Sequence, residues 1–261
     1  SMNQEEREIF LLHALLEESP AYASLTIPKD PQKRRQLLRS LLNVRSPMQV
    51  SERFLEVQDA YLKTLVKERG IVDVASFKPT AHDPRLFLWQ GDITRLNSDA
   101  IVNAANSALL GCFIPCHPCI DNLVHTLAGV QLRLACHKIM TAQGHEETVG
   151  QAKLTPAYNL PSRYVIHTVG PMIQGMVTKK DRELLASCYR SCLELASAHK
   201  IHSLAFCCIS TGVFHFPQKL ASRIAVETVD AFLKEDTTLE KVIFNVYKDE
   251  DYQYYQELLE R

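Results

Sequence analysis

The chain has 261 residues, and its 29 basic side chains nearly balance its 30 acidic ones, which leaves a formal net charge of −1. With so little net charge, no global electric field draws the protein to nucleic acid or to an anionic membrane. No apolar run approaches the roughly 18 residues that cross a bilayer, and the polar first residues do not resemble a signal peptide. We therefore expect a cytoplasmic protein whose partners include neither nucleic acid nor membranes.

The first 85 residues are predicted to be helical. Apolar residues recur at helical spacing in three segments, over residues 9–16, 34–42 and 50–66. Prolines at positions 20, 28, 31 and 47 separate these segments. Because nothing in this part resembles a catalytic motif, we interpret it as a small helical extension packed on a larger domain.

From residue 86 onward, short apolar runs alternate with longer helical patterns. Near-continuous apolar runs are typical of strands buried on both faces of a sheet, and they cover residues 86–89, 100–102, 163–169, 203–209 and 242–246. The helical patterns cover residues 120–142, 179–199, 217–233 and 252–259. This alternation predicts an α/β layered domain with a largely parallel sheet. Ligands bind beyond the carboxyl ends of such strands, so the polar residues that follow the apolar runs are expected to share one rim.

Three cysteines and a histidine fall within eight residues, at Cys112, Cys116, His117 and Cys119. Thiolate sulfur and imidazole nitrogen are ligands that Zn²⁺ takes in tetrahedral sites. A structural zinc commonly uses two separated pairs of ligands, whereas these residues form one tight cluster with no obvious second half. The cluster indicates either three protein ligands with an open fourth position, as in catalytic sites, or four ligands. The alternative is a group of reactive or merely exposed thiols.

The other five cysteines are predicted to be reduced packing residues. They lie in helical or apolar strand patterns, and a buried free cysteine behaves as a small apolar side chain. Without a secretory signal, a disulfide framework is not expected. These residues are Cys136, Cys188, Cys192, Cys207 and Cys208.

Polar residues after the first two apolar runs are candidate ligand contacts. Asp92 can accept a hydrogen bond from an exocyclic amino group such as that of adenine, and capping a turn is its equally common use. Asn103 and Asn106 are separated by two alanines, so their amides can meet ligand hydroxyls or form an Asx turn. Further along, Asp121 can orient or deprotonate a water near a metal, or complement the dipole of a helix.

Residues 210–217 join a predicted strand to a predicted helix. Their successive backbone N–H groups can cradle an anion such as a diphosphate, and the N-terminus of the following helix adds a favourable dipole. Pro217 suits the first position of that helix. A plain strand-to-helix turn is the alternative, because neither the Walker A pattern nor G-x-G-x-x-G occurs in the chain.

Taken in chain order, five segments resemble the macrodomain family: GDIT at 91–94, DAIVNAANS at 99–107, CIDNLVH at 119–125, CISTGVFHFP at 208–217 and VIFNVY at 242–247. The resemblance covers residues from about 86 to 260. It implies a three-layer α/β/α sandwich that binds ADP-ribose, and many members of the family hydrolyse ADP-ribose from modified proteins.

The common hydrolases of that family carry a glycine-rich loop where this chain has GCFIPCHPC at 111–119. This segment resembles the zinc-containing macrodomains, a microbial subgroup with a helical N-terminal extension. The resemblance therefore implies an extension over residues 1–85 and a zinc-containing, ADP-ribose-binding macrodomain over residues 86–261. It also implies that Cys112, His117 and Cys119 hold the metal, whereas Cys116 matches no ligand of the subgroup.

The resemblance further assigns the contacts with ADP-ribose. Asp92 would meet the adenine amino group and Tyr247 would stack on the ring, while Asn106 and Asp121 would serve catalysis at the distal ribose. His215 departs from the family, because many macrodomains place glycine there. The full set implied to contact ADP-ribose is Asp92, Ile93, Asn106, Cys119, Ile120, Asp121, Asn122, Ser210, Thr211, Gly212, Val213, Phe214 and Tyr247.

The implied activity is zinc-dependent removal of mono-ADP-ribose from modified protein side chains, with cleavage at C1 of the distal ribose and ADP-ribose as product. Two thiolate ligands leave Zn²⁺ formally neutral, which favours orientation of the substrate at least as much as activation of water. The alternatives are a non-catalytic ADP-ribose reader with a structural zinc and an O-acetyl-ADP-ribose deacetylase. Zinc macrodomains tend to accompany a sirtuin-type ADP-ribosyltransferase, so the resemblance implies a lipoyl-carrier protein as the modified partner.

Overall fold

The computed structural model describes residues 1–261, which form eight α-helices and one six-stranded sheet. In chain order the elements are α1 (Gln4–Glu17), α2 (Pro31–Val44), α3 (Glu52–Arg69), β1 (Leu86–Gln90), β2 (Ala100–Ala104), α4 (Ile120–Ala128), α5 (Val130–Gln143), β3 (Ala152–Pro156), β4 (Tyr164–Thr168), α6 (Lys179–Ala198), β5 (Ser203–Phe206), α7 (Gln218–Leu233), β6 (Lys241–Val246) and α8 (Asp249–Leu259). Short 3₁₀ turns cover Pro20–Tyr22, Val74–Ser76 and Ile93–Arg95. None of the helices combines the length with the apolar character that a membrane crossing requires.

The three helices predicted for the extension are confirmed, and each begins at a polar cap. Asn3 forms a capping box with Glu6 at the start of α1. The Asp30 carboxylate accepts from the Lys33 N–H at 2.9 Å before α2, and the Ser51 hydroxyl accepts from the Phe54 N–H at 3.0 Å before α3. These caps pair N–H groups that would otherwise lack a partner at a helix start.

The extension has an apolar core of its own, separate from the core around the sheet. Its buried members are Leu11, Leu12, Leu15, Leu16, Leu38, Leu41, Phe54, Val57, Tyr61 and Leu62. A buried polar contact crosses the three helices: Arg34 Nε donates to Glu8 at 2.9 Å, and the Tyr61 hydroxyl donates to Glu8 at 2.8 Å. Because these groups satisfy one another, the core tolerates a carboxylate that is 4% exposed.

The sheet has the order β1-β6-β5-β2-β4-β3, and β1, β6, β5, β2 and β4 run parallel to one another. Helices α6, α7 and α8 pack side by side as one layer, and α4 packs against α5 in another, which gives a three-layer α/β/α sandwich. The predicted α/β class and largely parallel sheet are therefore confirmed. The sixth strand, β3, pairs antiparallel with β4 at the edge and was missed by the sequence analysis.

The predicted packing role of the five remaining cysteines is confirmed for four that are buried, Cys136, Cys188, Cys192 and Cys207. Cys208 is only partly buried and packs against the edge of the main core. The apolar run predicted as a strand over 203–209 is shorter in the structure, because β5 ends at Phe206 and the two adjacent cysteines belong to the loop that follows.

The single helix predicted over residues 120–142 is wrong, because Gly129 divides it into α4 and α5. Gly129 has φ 109° and ψ 172°, a conformation that is essentially restricted to glycine. A Cβ at this position would lie 2.6 Å from Gln131 Oε1 and 2.7 Å from Gln58 Nε2. Gln58 belongs to α3, and its Oε1 accepts from the Val130 N–H at 2.9 Å. The break in the helix therefore makes room for a contact with the extension.

Gly129→Ala is expected to lower the free energy of unfolding by about 3 kcal/mol, since backbone strain adds to displacement of the Gln58 and Gln131 side chains. Gly144→Ala is the matched control. Gly144 also has a positive φ, 79°, but nothing lies within 4 Å of the added Cβ, so a loss of only about 1–2 kcal/mol is expected. Urea denaturation of the two variants measures the difference, and equal losses would contradict the role given to Gln58.

Candidate active site

The predicted rim is formed by loops that follow neighbouring parallel strands. Asp92 follows β1, Tyr247 follows β6, Ser210 follows β5 and Asn106 follows β2, and these strands are adjacent in the order β1-β6-β5-β2. Since the carboxyl ends of parallel strands lie at one edge of a sheet, the four positions share that edge. The structure therefore brings together segments that are far apart in the sequence.

The loop of residues 111–119, called here the cysteine loop, brings three candidate metal ligands together. One ligand atom each from Cys112, His117 and Cys119 lies within 4.8 Å of the other two. Tetrahedral zinc with bonds of about 2.0–2.3 Å holds its ligand atoms about 3.5 Å apart, so a small closure of the loop suffices. The sulfur of Cys116 instead lies against α2, 3.4 Å from the Ser40 hydroxyl. The donor set and spacing thus fit a three-ligand zinc site.

Cys119 also begins helix α4. Its sulfur accepts from the Asn122 N–H at 3.4 Å and so acts as the N-cap. Burial raises the pKa of the Cys119 thiol to about 11; the Asn122 N–H opposes this shift, and the neighbouring Cys112 adds to it. A divalent cation between the two sulfurs would favour their thiolate forms, because it offsets both the desolvation and the mutual repulsion.

Asp121 is 5% exposed and lies in the first turn of α4. Its carboxylate accepts from the Asn103 side-chain amide at 2.8 Å, and His125 Nε2 lies 3.6 Å from the same oxygen. Asn103 itself is fully buried in β2. Of the two asparagines considered in the sequence, Asn103 therefore supports Asp121 from inside the core, while Asn106 is exposed at the rim.

A buried polar cluster behind Asp121 was missed by the sequence analysis. Burial lowers the pKa of both histidines, in the case of His167 to about 4, which favours the neutral form of both rings. The Asn103 amide lies 3.2 Å from His167 Nδ1 and donates to it, which leaves the proton of the ring on Nε2, where the Thr155 hydroxyl accepts at 3.0 Å. A ligand atom each from His125, Cys136 and His167 lies within 4.8 Å of the others. In this tautomer His167 has no free nitrogen for a metal, because Nδ1 accepts from Asn103 and Nε2 carries the proton. A histidine inside the apolar run 163–169 was the available signal.

The loop after β5 has the form of an anion cradle. Ser210 and His215 have φ of 67° and 62°, which fold the loop back on itself, and the Phe216 N–H donates to the Ser210 carbonyl at 2.9 Å. None of the four backbone N–H groups from Thr211 to Phe214 donates to another group of the protein. Such a row of free donors suits a diphosphate. Pro217 lies at the N-cap rather than at the predicted first position of α7, which begins at Gln218.

The carboxylate of Asp92 is already used inside the protein. One oxygen accepts from the Thr94 N–H at 2.9 Å, as expected for a cap, and the other contacts the Arg69 guanidinium from the end of α3. A carboxylate has about four acceptor sites, so an exocyclic amino group can still bind. Next to it, Ile93 is buried and Tyr247 is 79% exposed. The contact from Arg69 was not predicted.

Two of the predicted contact residues have side chains that hold the cysteine loop. Asn106 Nδ2 donates to the Gly111 carbonyl at 3.1 Å. Asn122 is fully buried; its amide donates to the Ile114 carbonyl at 2.9 Å and its oxygen accepts from Arg39 at 2.8 Å. Their predicted contacts with ADP-ribose stay predictions, as do those of the other residues of the rim.

Comparison with known proteins places this site in a family. The model of the macro domain matches residues 102–225. A protein of Treponema medium named protein-ADP-ribose hydrolase is 50% identical over 99% of this chain and all of its own length. A protein of the same name from Staphylococcus aureus (strain MSSA476) is 51% identical over 91% of this chain and 89% of its own.

Solved macrodomains have the same architecture. The Oceanobacillus iheyensis macrodomain with ADP is 38% identical with a TM-score of 0.61, covering 66% of this chain and 88% of its own. The Trypanosoma brucei macrodomain in complex with ADP-ribose is 28% identical with a TM-score of 0.66, covering 88% of this chain and 96% of its own. That share of the chain exceeds residues 86–261, so the match includes part of the helical extension. The chain belongs to the macrodomain family.

Proposed function

We propose that this protein hydrolyses ADP-ribose from modified protein side chains and that it does so with zinc held by Cys112, His117 and Cys119. The observation that carries the proposal is the meeting of three sulfur and nitrogen ligand atoms within 4.8 Å on the rim that also carries the anion cradle. Relatives named protein-ADP-ribose hydrolase, about 50% identical over nearly the whole chain, support the reaction class.

ADP-ribose fits along the rim in one direction. The cradle of residues 211–214 suits the diphosphate, because it offers free N–H donors and precedes the N-terminus of α7. The adenine end then lies toward Asp92 and Tyr247, which follow β1 and β6, and the distal ribose lies toward Asn106, which follows β2. The cradle follows β5, which lies between β6 and β2 in the sheet. The predicted contacts therefore occur in the same order as adenine, diphosphate and distal ribose in ADP-ribose.

The hydrolysis places the hydroxyl of a water on C1 of the distal ribose. The bond from C1 to the protein side chain breaks, and the side chain leaves with the electron pair of that bond and receives the remaining proton of the water. Bound zinc would supply Lewis acidity and would hold a ribose or leaving-group oxygen. Asp121 is the residue suited to accept the proton of the water, and the Asn103 amide fixes its carboxylate at 2.8 Å. The neutral rings of His125 and His167 close the space behind it to solvent.

Burial raises the pKa of Asp121 to about 6, while the Asn103 amide and the Arg133 charge act in the opposite direction. A base of this pKa is mostly ionised near pH 7 and binds a proton more readily than an ordinary aspartate does. The burial of Asp121 thus tunes it toward the proposed task.

The modified partner is proposed from the family resemblance. By resemblance to the zinc-containing macrodomains, the substrate is a lipoyl-carrier protein modified by a sirtuin-type ADP-ribosyltransferase. Met172, Met176 and Val213 are 54%, 88% and 65% exposed, and they lie in or beside the segments around the cradle. They give the partner an apolar surface to contact there.

Cys119→Ser separates the metal role of Cys119 from its capping role, since serine is itself a good N-cap. We expect the variant to lose zinc and to release ADP-ribose at least about 100-fold more slowly, because even outer-shell partners of a metal contribute 10–100-fold. Cys116→Ser is the control and should retain both. Metal analysis and a release assay with several side-chain linkages, each with and without chelator, measure the two effects.

Release that survives removal of the metal would contradict the zinc-dependent reaction. Binding of ADP-ribose without any release by the wild-type protein would instead identify a reader. Deacetylation of O-acetyl-ADP-ribose without release from protein would identify the deacetylase.

Asp92→Asn tests the adenine end of the cleft. The amide oxygen can still cap the Thr94 N–H, so the turn is retained, but the charge-assisted bond to an adenine amino group is lost. We expect ADP-ribose to bind about tenfold more weakly, which corresponds to about 1.4 kcal/mol. Isothermal titration calorimetry measures the change. Unaltered affinity with an unaltered melting temperature would remove Asp92 from the site.

Asp121→Asn tests the burial of the carboxylate in zinc-free protein. Between about pH 4 and pH 6 the folded protein holds a proton on Asp121 that the unfolded chain has lost, so this group lowers stability as the pH rises. The shift corresponds to about 3 kcal/mol. His167 has the opposite slope in this window, because its pKa is lowered to about 4.

The comparison with the variant isolates Asp121 from the histidines. The wild type should lose about 3 kcal/mol relative to Asp121→Asn as the pH rises from about 4 to about 6. Chemical denaturation at several pH values measures this. Parallel pH profiles of the two proteins would contradict the raised pKa.

A further inference from the structure

The cysteine loop has little structure of its own. No helix or strand occurs between residues 111 and 119, and one backbone hydrogen bond lies within the loop, from the His117 N–H to the Ile114 carbonyl at 3.2 Å. Fixing an irregular segment costs about 1–2 kcal/mol of backbone entropy per residue. Contacts from outside the loop must therefore set the arrangement in which three ligand atoms meet.

Helix α2 of the extension supplies such contacts at Cys116. The Cys116 N–H donates to Asn43 Oδ1 at 2.8 Å, and its sulfur lies 3.4 Å from the Ser40 hydroxyl and 3.6 Å from the Gln36 carbonyl. Cys116 has φ 55°, which is unfavourable for a residue with a side chain. The hydrogen bond to Asn43 and the packing against α2 stabilise this turn. These contacts give a structural role to Cys116, the one cysteine of the loop outside the proposed ligand set.

Arg39, on the same helix, contacts the backbone of one proposed ligand and the side chain of Asn122. Its guanidinium donates to Asn122 Oδ1 at 2.8 and 3.2 Å and to the His117 carbonyl at 3.3 Å. Asn122 in turn donates its side-chain amide to the Ile114 carbonyl and its backbone N–H to the Cys119 sulfur. One side chain of the extension thereby fixes both halves of the loop.

Arg133 of α5 connects the extension to the cysteine loop through hydrogen bonds to both. Its guanidinium donates to the Asn43 and Arg45 carbonyls at 2.8 and 2.7 Å, and to the Leu110 and Cys112 carbonyls at 2.7 and 3.2 Å. With the Leu42 carbonyl, which accepts at 3.3 Å, five carbonyl groups from two separate segments are held around one buried cation. This arrangement fixes the distance between α2 and the start of the loop.

We propose that helix α2 holds the cysteine loop in the arrangement that brings the three ligand atoms together, with Arg39 as the positioning residue. The inference rests on the proposed zinc function for its consequence, a metal site that is ordered before the metal binds. Partners of metal ligands outside the coordination sphere commonly contribute 10–100-fold to metal affinity. The extension is therefore part of the metal site, although none of its residues is a ligand.

Arg39→Gln removes the charge and the fork of donors, and Arg35→Gln is the matched control. Arg35 lies on the same helix with a side chain that is 58% exposed, and its ion pair with Glu8, at 3.5 Å, leads away from the loop. In zinc-free protein, hydrogen exchange of the amides of residues 111–119 should accelerate in Arg39→Gln and stay unchanged in Arg35→Gln. Competition with a chromophoric chelator should show zinc bound at least about tenfold more weakly by Arg39→Gln alone.

Arg39→Lys is the second variant, which keeps the charge but cannot bridge Asn122 and the His117 carbonyl with one planar group. It should fall between the wild type and Arg39→Gln in both measurements, whereas an effect of net charge alone would leave it at the wild-type level and overturn the inference. Exchange and zinc affinity that are unchanged in Arg39→Gln would overturn the inference and leave the zinc function standing. Accelerated exchange in a protein whose wild type binds no zinc would support the loop contact and overturn the zinc function.

Discussion

Five adjacent strands run parallel in this protein, and their common direction decides where its polar residues meet. The strand order β1-β6-β5-β2-β4 brings the loops after residues 90, 246, 206 and 104 to one edge, in that sequence. The inner strands of the sheet are paired on both sides, so they present ligand-binding groups where the ladder stops, at their carboxyl ends. The predicted contact positions therefore form one row along this edge, with its two ends set by the positions of β1 and β2 in the sheet.

The start of helix α4 lies between the rim and the buried core. Cys119 ends the cysteine loop as a candidate ligand and begins the helix as its cap, so a bound metal and the helix would constrain the same sulfur. Two residues later, Asp121 is turned into the core, where Asn103 satisfies its carboxylate. A helix that began one residue earlier or later would separate these roles, because neighbouring helical positions face different directions. The local geometry thus places a candidate metal ligand and a buried acid in the same helical turn.

Residue patterns predicted most of the fold because burial on both sides of a sheet produces unbroken apolar runs. The same logic failed for β3, an edge strand in which the partly buried Lys153 interrupts the apolar pattern. It failed again at Gly129, because helical periodicity continues across the glycine and the contact with Gln58 that requires it is distant in sequence. In the cysteine loop, spacing identified the ligand candidates, but only the packing of α2 shows which surface Cys116 contacts.

The extension contacts both ends of the rim, and no local sequence pattern predicts these contacts. Arg69 from the end of α3 contacts the Asp92 carboxylate, while Arg39 from α2 holds Asn122 beside the cysteine loop. Both arginines lie outside the segments that resemble the family, and both are fixed by a helical core that packs independently of the sheet. Because that core sets the distance between the two arginines, any shift of the extension changes both ends of the site together. The predicted contacts with ADP-ribose thus lie within residues 86–261, while two arginines of the extension contact side chains at both ends of the rim.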